Sequence, residues 1–175
     1  MTRSSKAPSP WVGRFASLIP KGGIVLDLAC GSGRHTRYLS ALGYRLLAVD
    51  IDVSRVEDLS QNENVEIMKA DLEAGDWPFS GRYFDGIVVT NYLHRPNLPR
   101  LVESLSPGGV LIYETFAKGN EKLCGPSNPD FLLNPAELLD AFAPRLTIMA
   151  YEHAIEDSAT PAVRQRICAV NAPDP

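Results

Sequence analysis

Apolar residues occur along this chain in short continuous runs, separated by segments with helical spacing. A short apolar run flanked by glycine or polar residues is typical of a strand buried on both faces of a sheet. The runs lie at 24–28, 44–49, 65–69, 84–89 and 110–115. The helical spacings lie at 11–19, 34–42 and 98–105. This alternation predicts an α/β fold with a mostly parallel sheet.

The C-terminal part of the chain has a different pattern. Two further strands are predicted at 146–151 and 163–170, with only a polar loop between them. Strands joined without a crossover helix pair antiparallel, so we expect a C-terminal hairpin at the sheet. The polar segment 117–133 is long for a connection in a compact domain, and we interpret it as a substrate lid.

Three local signals predict where elements begin. Asp52 is predicted to cap a short helix whose apolar face carries Val53, Val56 and Leu59. Ser-Pro-Gly-Gly at 106–109 is predicted to form a turn before the fifth strand. Asn134 is predicted to cap a helix that has proline at its first position.

The stretch VLDLACGSGRHT at 25–36 places an acid inside an apolar run and then breaks into Gly-Ser-Gly. A buried acid is costly unless it is paired or faces a ligand. Closely spaced glycines indicate a sharp turn or a close approach to something other than protein. We therefore predict a strand that ends in a ligand-binding turn, with Asp27, Gly31 and Gly33 at the site.

Polar residues follow the next strands at corresponding places. Asp50, Asp71 and Asn91 come after the second, third and fourth strands. In a parallel α/β sheet ligands bind at the carboxyl ends of the strands, and an acid at the second strand can accept both hydroxyls of a ribose. Asp71 could accept a hydrogen bond from an adenine amine, with Ile51 and Leu72 on either side of the base. The pattern predicts a site for an adenine nucleoside.

The turn argues against a dinucleotide. A dinucleotide site needs a third glycine for close helix packing and a helix N-terminus for the pyrophosphate. Here Thr36 occupies the third glycine position, and Asp27 would repel a pyrophosphate. S-adenosylmethionine has a sulfonium, an ammonium and a carboxylate but no phosphate. Asp27 is predicted to face its amino-acid end, through water or backbone.

The segments VLDLACGSG, LLAVDID, KADLE, FDGIVVTNYLHR and LSPGGVLIYETF occur in the order and at the spacing of class I S-adenosylmethionine-dependent methyltransferases. The chain most resembles their small, tellurite-resistance-type bacterial branch. The resemblance implies a Rossmann-like, doubly wound, seven-stranded sheet whose last strand is inserted antiparallel. Ala29 stands where many members have glycine, and we expect it to keep an ordinary negative φ. The implied cofactor residues, with His35 added as a backbone neighbour of the cofactor, are Asp27, Ala29, Gly31, Gly33, His35, Asp50, Ile51, Asp71, Leu72 and Asn91.

Methyl transfer from a sulfonium mainly requires proximity and alignment. Asn91, Tyr92 and His94 follow the fourth strand, where the methyl group should lie, and are the catalytic candidates. His94 is the candidate general base for an acceptor that carries a proton. The aromatic face of Tyr92 or Phe116 could stabilise the cation. A small-molecule acceptor is predicted because the chain has little beyond its sheet core.

Three other functions compete with this prediction. A nicotinamide dehydrogenase is disfavoured by the same turn. A non-catalytic S-adenosylmethionine-binding regulator and an RNA methyltransferase remain as alternatives. Binding RNA needs a basic face, whereas the candidate arginines are scattered along the chain. They are Arg82, Arg95, Arg100 and Arg145.

Composition and charge further restrict the partners, metals and cellular location that we expect. The 175 residues carry a net charge of -4, which disfavours a nucleic-acid partner. Cys30, Cys124 and Cys168 have no metal-ligand spacing, which predicts no metal and a reducing cytoplasm. No apolar run is long enough for a membrane span. We expect a flexible tail at 1–10 and one methyltransferase domain at 11–175, with no sequence signal for the acceptor's identity or the oligomeric state.

Overall fold

The computed structural model describes residues 7–123, 125–156 and 160–172. The strands are β1 Ile24–Leu28, β2 Arg45–Asp50, β3 Val65–Lys69, β4 Phe84–Thr90, β5 Leu105–Phe116, β6 Thr147–Glu156 and β7 Ala162–Val170. The α-helices of the described residues are α1 Pro10–Phe15, α2 Arg34–Ala41, α3 Leu98–Glu103 and α4 Glu137–Phe142.

The strands form one seven-stranded sheet in the order β3-β2-β1-β4-β5-β7-β6. Neighbours from β3 to β5 are parallel, whereas β7 lies antiparallel between β5 and β6. This confirms the predicted fold class and the inserted last strand. Because β1 is flanked by β2 on one side and β4 on the other, the strand order reverses there, and a crevice opens at the carboxyl ends.

Helices cover both faces of the sheet. On one face α1 and α2 contribute Trp11 and Leu39 to a core that also contains alternate residues of the central strands. On the other face α3 and α4 contribute Leu101 and Phe142 to a second core. The central strands are buried on both sides, which is why they are continuous apolar runs in the sequence.

The segment 106–109 is not a turn before β5. Phe84 pairs with Leu105 and Gly86 with Val110, so the residues between form a bulge inside one long strand. Asn171 holds the bulge: its carbonyl accepts from the Gly108 N–H at 2.6 Å, and its own N–H donates to the Gly109 carbonyl at 2.9 Å. The turn prediction is wrong because a residue far along the chain pairs with this segment.

Asp52 does not cap a helix. Its side chain accepts a hydrogen bond from the Ser54 N–H at 3.0 Å. The helical segment that follows is a 3-10 helix at Glu57–Gln61. The predicted apolar face is correct, since Val56 and Leu59 are buried. The local turn at Asp52 therefore replaces the expected cap.

The helix expected at Asn134 begins later. α4 starts at Glu137, after Ala136 with a φ of 62°. The carboxylate of Glu137 accepts from the backbone N–H and the side-chain amide of Asn134, at 2.7 and 2.9 Å. Asn134 thus binds the side chain of the first helical residue instead of capping the helix.

The fold includes residues assigned to the tail. Pro10 begins α1, and the buried Ser9 accepts a hydrogen bond from the Trp11 N–H at 3.1 Å. Residues 1–6 and Cys124 lie outside the described residues. No described helix has the length and apolar character that crossing a membrane requires.

Candidate functional site

A cavity of about 540 Å³ lies at the carboxyl ends of β1 to β4. We call it the larger cavity. Several residues that were predicted to bind the cofactor follow different strands in the sequence, and here they line one cavity. Its lining residues are Ala29, Asp50, Ile51, Ala70, Asp71, Leu72, Glu73, Ala74, Asn91 and Tyr92. The predicted residues Asp27, Gly31, Gly33 and His35 do not line it. They lie in β1, in the turn that follows β1 and in the first turn of α2.

The first residue of the glycine turn is strained. Ala29 has a φ of 53°, in the left-handed region, so the expected ordinary negative φ is wrong. Alanine there costs about 1 kcal/mol because its Cβ approaches the following carbonyl oxygen. This explains why glycine is the better residue at that place.

Ala29→Gly is expected to raise the free energy of unfolding by about 0.5–1 kcal/mol, because glycine adopts a positive φ without strain. Urea denaturation measures the change. Ala41→Gly, at the last residue of α2, is the matched control and should lower stability by up to about 1 kcal/mol. A loss of stability in both variants would contradict the strain at Ala29.

The two glycines of the turn have different roles. The Gly31 N–H donates to Oδ2 of Asp50 at 2.8 Å, which fixes the turn to the tip of β2. A Cβ on Gly33 would lie 2.5 Å from Cγ1 of Val56. Gly33 therefore makes room for a neighbouring side chain, and its approach to a cofactor stays a prediction.

Asp27 has a protein partner. It is 2% exposed, and its Oδ2 accepts a hydrogen bond from the Thr36 hydroxyl at 2.5 Å. Burial raises the pKa of Asp27 to about 6, although the bond from Thr36 opposes that rise. Thr36, which replaces the third glycine of a dinucleotide turn, is thus the residue that holds the buried acid. The proximity of Asp27 to a cofactor stays a prediction.

His35 is buried behind the turn. Its Nε2 accepts a hydrogen bond from the Ser9 N–H at 3.1 Å, and its Nδ1 lies 3.4 Å from the Thr90 hydroxyl. Burial, with a smaller effect from Arg34, lowers the pKa of His35 to about 3. The side chain joins the N-terminal segment to the sheet as a neutral imidazole and does not reach the larger cavity.

Asp50 and Ile51 form one wall of the larger cavity. The Asp50 carboxylate is already oriented, since Oδ1 accepts from the Asp52 N–H at 3.1 Å and Oδ2 from Gly31. Ile51 is 59% exposed, so its apolar surface is open to the cavity that it lines. An oriented carboxylate beside an exposed apolar face suits a ribose and the flat base attached to it.

The loop after β3 forms the opposite wall. Oδ1 of Asp71 accepts from the N–H groups of Glu73 and Ala74, at 2.9 and 3.2 Å. Leu72 adds a half-buried apolar surface, and its carbonyl accepts from the Asn97 side chain at 2.9 Å. Asp71 therefore both lines the cavity and shapes the loop that carries Glu73.

The larger cavity is acidic. Asp50, Asp71 and Glu73 line it, and none of its lining residues is a lysine, arginine or histidine. Such a lining attracts a cation and repels a pyrophosphate. The donor set consequently fits S-adenosylmethionine better than a dinucleotide.

A smaller cavity of about 340 Å³ adjoins the first. The two share Glu73, Asn91 and Tyr92, so a molecule in one lies next to a molecule in the other. Asn91 has a φ of 56°, and its Oδ1 accepts from Arg164 at 2.6 Å. The remaining lining residues are Leu93, Thr115, Phe116, Pro126 and Phe131.

Tyr92 and His94 differ in position. Tyr92 lines both cavities, and partial burial is the largest of the causes that raise its pKa to about 12. His94 lines neither cavity, and its Nδ1 is buried without a hydrogen-bond partner among the described residues. The geometry therefore gives no support to His94 as a general base.

Sequence reasoning missed Glu73 and, apart from Phe116, the apolar walls of the smaller cavity. Glu73 stands two places after Asp71 in an acid-rich loop, where nothing distinguishes it from its neighbours. Pro126 and Phe131 belong to the segment 117–133, which agrees with its interpretation as a lid. The length of that segment indicated a functional role, but nothing in the sequence indicated which of its residues face the site.

The fold and the site resemble those of one class of protein. A sheet with this strand order, a glycine turn after β1 and an acid at the tip of β2 are features of the Rossmann-like fold that methyltransferases share. Residues 25–109 match a family described as a methyltransferase domain. In this segment and in its fold the chain is similar to class I S-adenosylmethionine-dependent methyltransferases, the TehB proteins among them.

Two curated relatives share part of the sequence. The probable S-adenosyl-L-methionine-dependent methyltransferase TehB of Haemophilus influenzae is 30% identical over 86 residues, which are 46% of this chain and 30% of that protein. The demethylmenaquinone methyltransferase of Clavibacter sepedonicus is 31% identical over 102 residues, 53% of this chain and 41% of that protein. The chain thus spans less than half the length of either relative.

Solved structures agree on the fold. The crystal structure of Haemophilus influenzae TehB has a TM-score of 0.77 at 19% identity, covering 96% of this chain and 63% of that one. The Burkholderia thailandensis 1,6-didemethyltoxoflavin-N1-methyltransferase, with bound 1,6-didemethyltoxoflavin and S-adenosylhomocysteine, has a TM-score of 0.72 at 18% identity. That match covers 97% of this chain and 80% of the other.

Proposed function

We propose that this protein transfers a methyl group from S-adenosylmethionine to a small-molecule acceptor. The observation that carries the proposal is the pair of adjoining cavities that share Glu73, Asn91 and Tyr92. A donor in the larger cavity and an acceptor in the smaller one would meet at these three residues. The relative with bound 1,6-didemethyltoxoflavin supports an acceptor of modest size.

The residues that line the larger cavity have distinct roles in binding the donor. Asp50 accepts the ribose hydroxyls, Asp71 accepts the adenine amine, and Ile51 with Leu72 packs against the base. Asn91 and Tyr92 align the two molecules for in-line transfer. When bound, S-adenosylmethionine supplies an electrophilic methyl group on its sulfonium.

The RNA alternative has less support. Of the candidate arginines, three are paired with acids: Arg82 with Glu66, Arg95 with Glu137 and Arg145 with Glu103. Pairing reduces the positive potential available to a phosphate backbone. A salt-dependent affinity for RNA would favour that alternative.

Titration calorimetry with S-adenosylhomocysteine, and separately with NAD, tests the cofactor. We expect S-adenosylhomocysteine to bind and Asp71→Asn to weaken it about 3- to 10-fold, because one hydrogen bond is lost. Asp50→Ala should weaken it further, about 30-fold, since two hydroxyls lose a charged acceptor. Asp76→Asn, an exposed acid that lines neither cavity, is the control.

Binding of NAD at equal or higher affinity would overturn the proposal. Binding of S-adenosylhomocysteine without turnover of any acceptor would indicate the non-catalytic regulator. A melting-temperature measurement on Asp50→Ala separates lost affinity from lost folding, because Asp50 also holds the Gly31 N–H.

A further inference from the structure

The walls of the smaller cavity are mostly apolar. Leu93, Phe116, Pro126 and Phe131 form them, and Tyr92 lines both this cavity and the larger one. The volume, about 340 Å³, is near the lower end of ligand pockets, which span roughly 300–1,000 Å³. Two phenyl rings and a proline favour a compact, flat, apolar molecule over a flexible chain.

Positive charge near the cavity is already neutralised. The guanidinium of Arg164 lies 4.2 Å from the centre of the Phe116 ring. Its Nη1 donates to Asn91 at 2.6 Å and its Nε to Glu156 at 3.0 Å. None of the residues that line the cavity is cationic, and Glu73 adds a negative charge. An anionic acceptor would be repelled without compensation.

The groups that could take a proton are few. Among the residues that line the cavity, Glu73 and Tyr92 are the titratable ones. Tyr92, with its raised pKa of about 12, stays protonated near neutral pH. His94 is outside, so Glu73 is the one lining group that can accept a proton there.

A carboxylate is a weak base, and it takes a proton more readily from the cationic nitrogen of a methylated amine than from a neutral hydroxyl. An uncharged amine attacks through its lone pair and becomes acidic only once it is alkylated, whereas a hydroxyl has to lose its proton as it attacks. The lining therefore favours nitrogen acceptors over oxygen acceptors.

We propose that the acceptor is a flat, uncharged aromatic amine and that Glu73 accepts its proton. The nitrogen lone pair forms the bond to the methyl carbon, and the carbon–sulfur bond breaks with its electron pair going to sulfur. The N–H proton then passes to the carboxylate of Glu73, leaving a neutral methylated amine. This inference rests on the proposed function.

Three probes of one shape test the inference: 5-aminoindane, 5-indanol and indane-5-carboxylate. Their affinities are measured by calorimetry on protein saturated with S-adenosylhomocysteine. Methylation is followed by mass spectrometry with S-adenosylmethionine as donor. We expect the amine to bind at least about tenfold more tightly than the carboxylate and to be the one probe that is methylated.

Glu73→Gln should lower the turnover of 5-aminoindane about tenfold, because the negative charge no longer stabilises the nitrogen as it becomes cationic during the transfer. It should leave the affinity for S-adenosylhomocysteine within about threefold and strengthen binding of the carboxylate probe, because a repulsive charge is removed. Asp76→Asn removes a charge from the same loop without touching either cavity and should change none of these values.

The inference fails if the carboxylate probe binds as well as the amine, if 5-indanol is methylated faster than 5-aminoindane, or if Glu73→Gln keeps full turnover. In each of these results S-adenosylhomocysteine binds and methyl transfer to a small molecule is either seen or left standing, so the proposed function survives. Loss of S-adenosylhomocysteine binding, or binding without methylation of any probe, would instead overturn the proposed function.

Discussion

Replacing His35 by glutamine is expected to protect the fold against acid. In the parent protein the buried imidazole has a pKa of about 3, whereas an unfolded histidine has a pKa of 6.5. The unfolded state therefore binds the proton first, and stability is lost as the pH falls below 6.5 toward 3. The loss from this group is about 2 kcal/mol by about pH 5 and approaches about 5 kcal/mol in stronger acid.

Urea denaturation between about pH 7 and pH 4 measures this effect. His35→Gln retains an acceptor for the Ser9 N–H and should abolish the acid loss that His35 causes. His153→Gln, at an exposed position on β6, is the control and should leave the pH dependence of the parent unchanged. Equal pH dependence in His35→Gln and the parent would show that the imidazole is protonated in the folded state.

The strands could be predicted because each central strand is a short apolar run between polar or glycine residues. β1 and β3 begin and end at the predicted residues. The bulge at 106–109 could not be predicted in this way, since Asn171 creates it from the far end of the chain. Local patterns indicate which residues are buried, but not which distant backbone will pair with them.

In the candidate site, too, some features could be predicted from local sequence and others depend on distant parts of the chain. Asp50, Ile51, Asp71 and Leu72 were predictable because the ends of parallel strands meet at one edge of a sheet. The strain at Ala29 depends on a backbone angle that the sequence does not reveal. Glu73 depends on a loop shaped by the side chain of Asp71, so its place at both cavities appears only in three dimensions.

Asp27→Asn is expected to stabilise the protein and to weaken cofactor binding at the same time. Burial raises the pKa of this carboxyl from 3.8 to about 6. The folded state therefore holds the proton more tightly, and stability falls as the pH rises from 3.8 to about 6 and is then constant. The ionised carboxylate destabilises the fold at neutral pH by about 3 kcal/mol relative to its protonated form.

Asparagine resembles the protonated acid and can still accept the Thr36 hydrogen bond. Asp27→Asn should gain up to about 3 kcal/mol near pH 7 and nothing below about pH 4. Between about pH 4 and pH 6 the titration of Asp27 changes stability in the direction opposite to that of His35, so the stability of the parent should depend only weakly on pH. In His35→Gln the stability should fall as the pH rises, and in Asp27→Asn it should fall as the pH drops.

A buried carboxylate that destabilises the fold is expected to serve a ligand. If its charge attracts the ammonium of the cofactor, Asp27→Asn should bind S-adenosylhomocysteine about tenfold more weakly. Adenosine, which lacks the amino-acid end, should bind both proteins equally. A stabilised variant with unchanged affinity for both ligands would mean that Asp27 serves the turn alone, through Thr36. Because stability and affinity are expected to move in opposite directions, a variant that merely misfolds could not produce the predicted result.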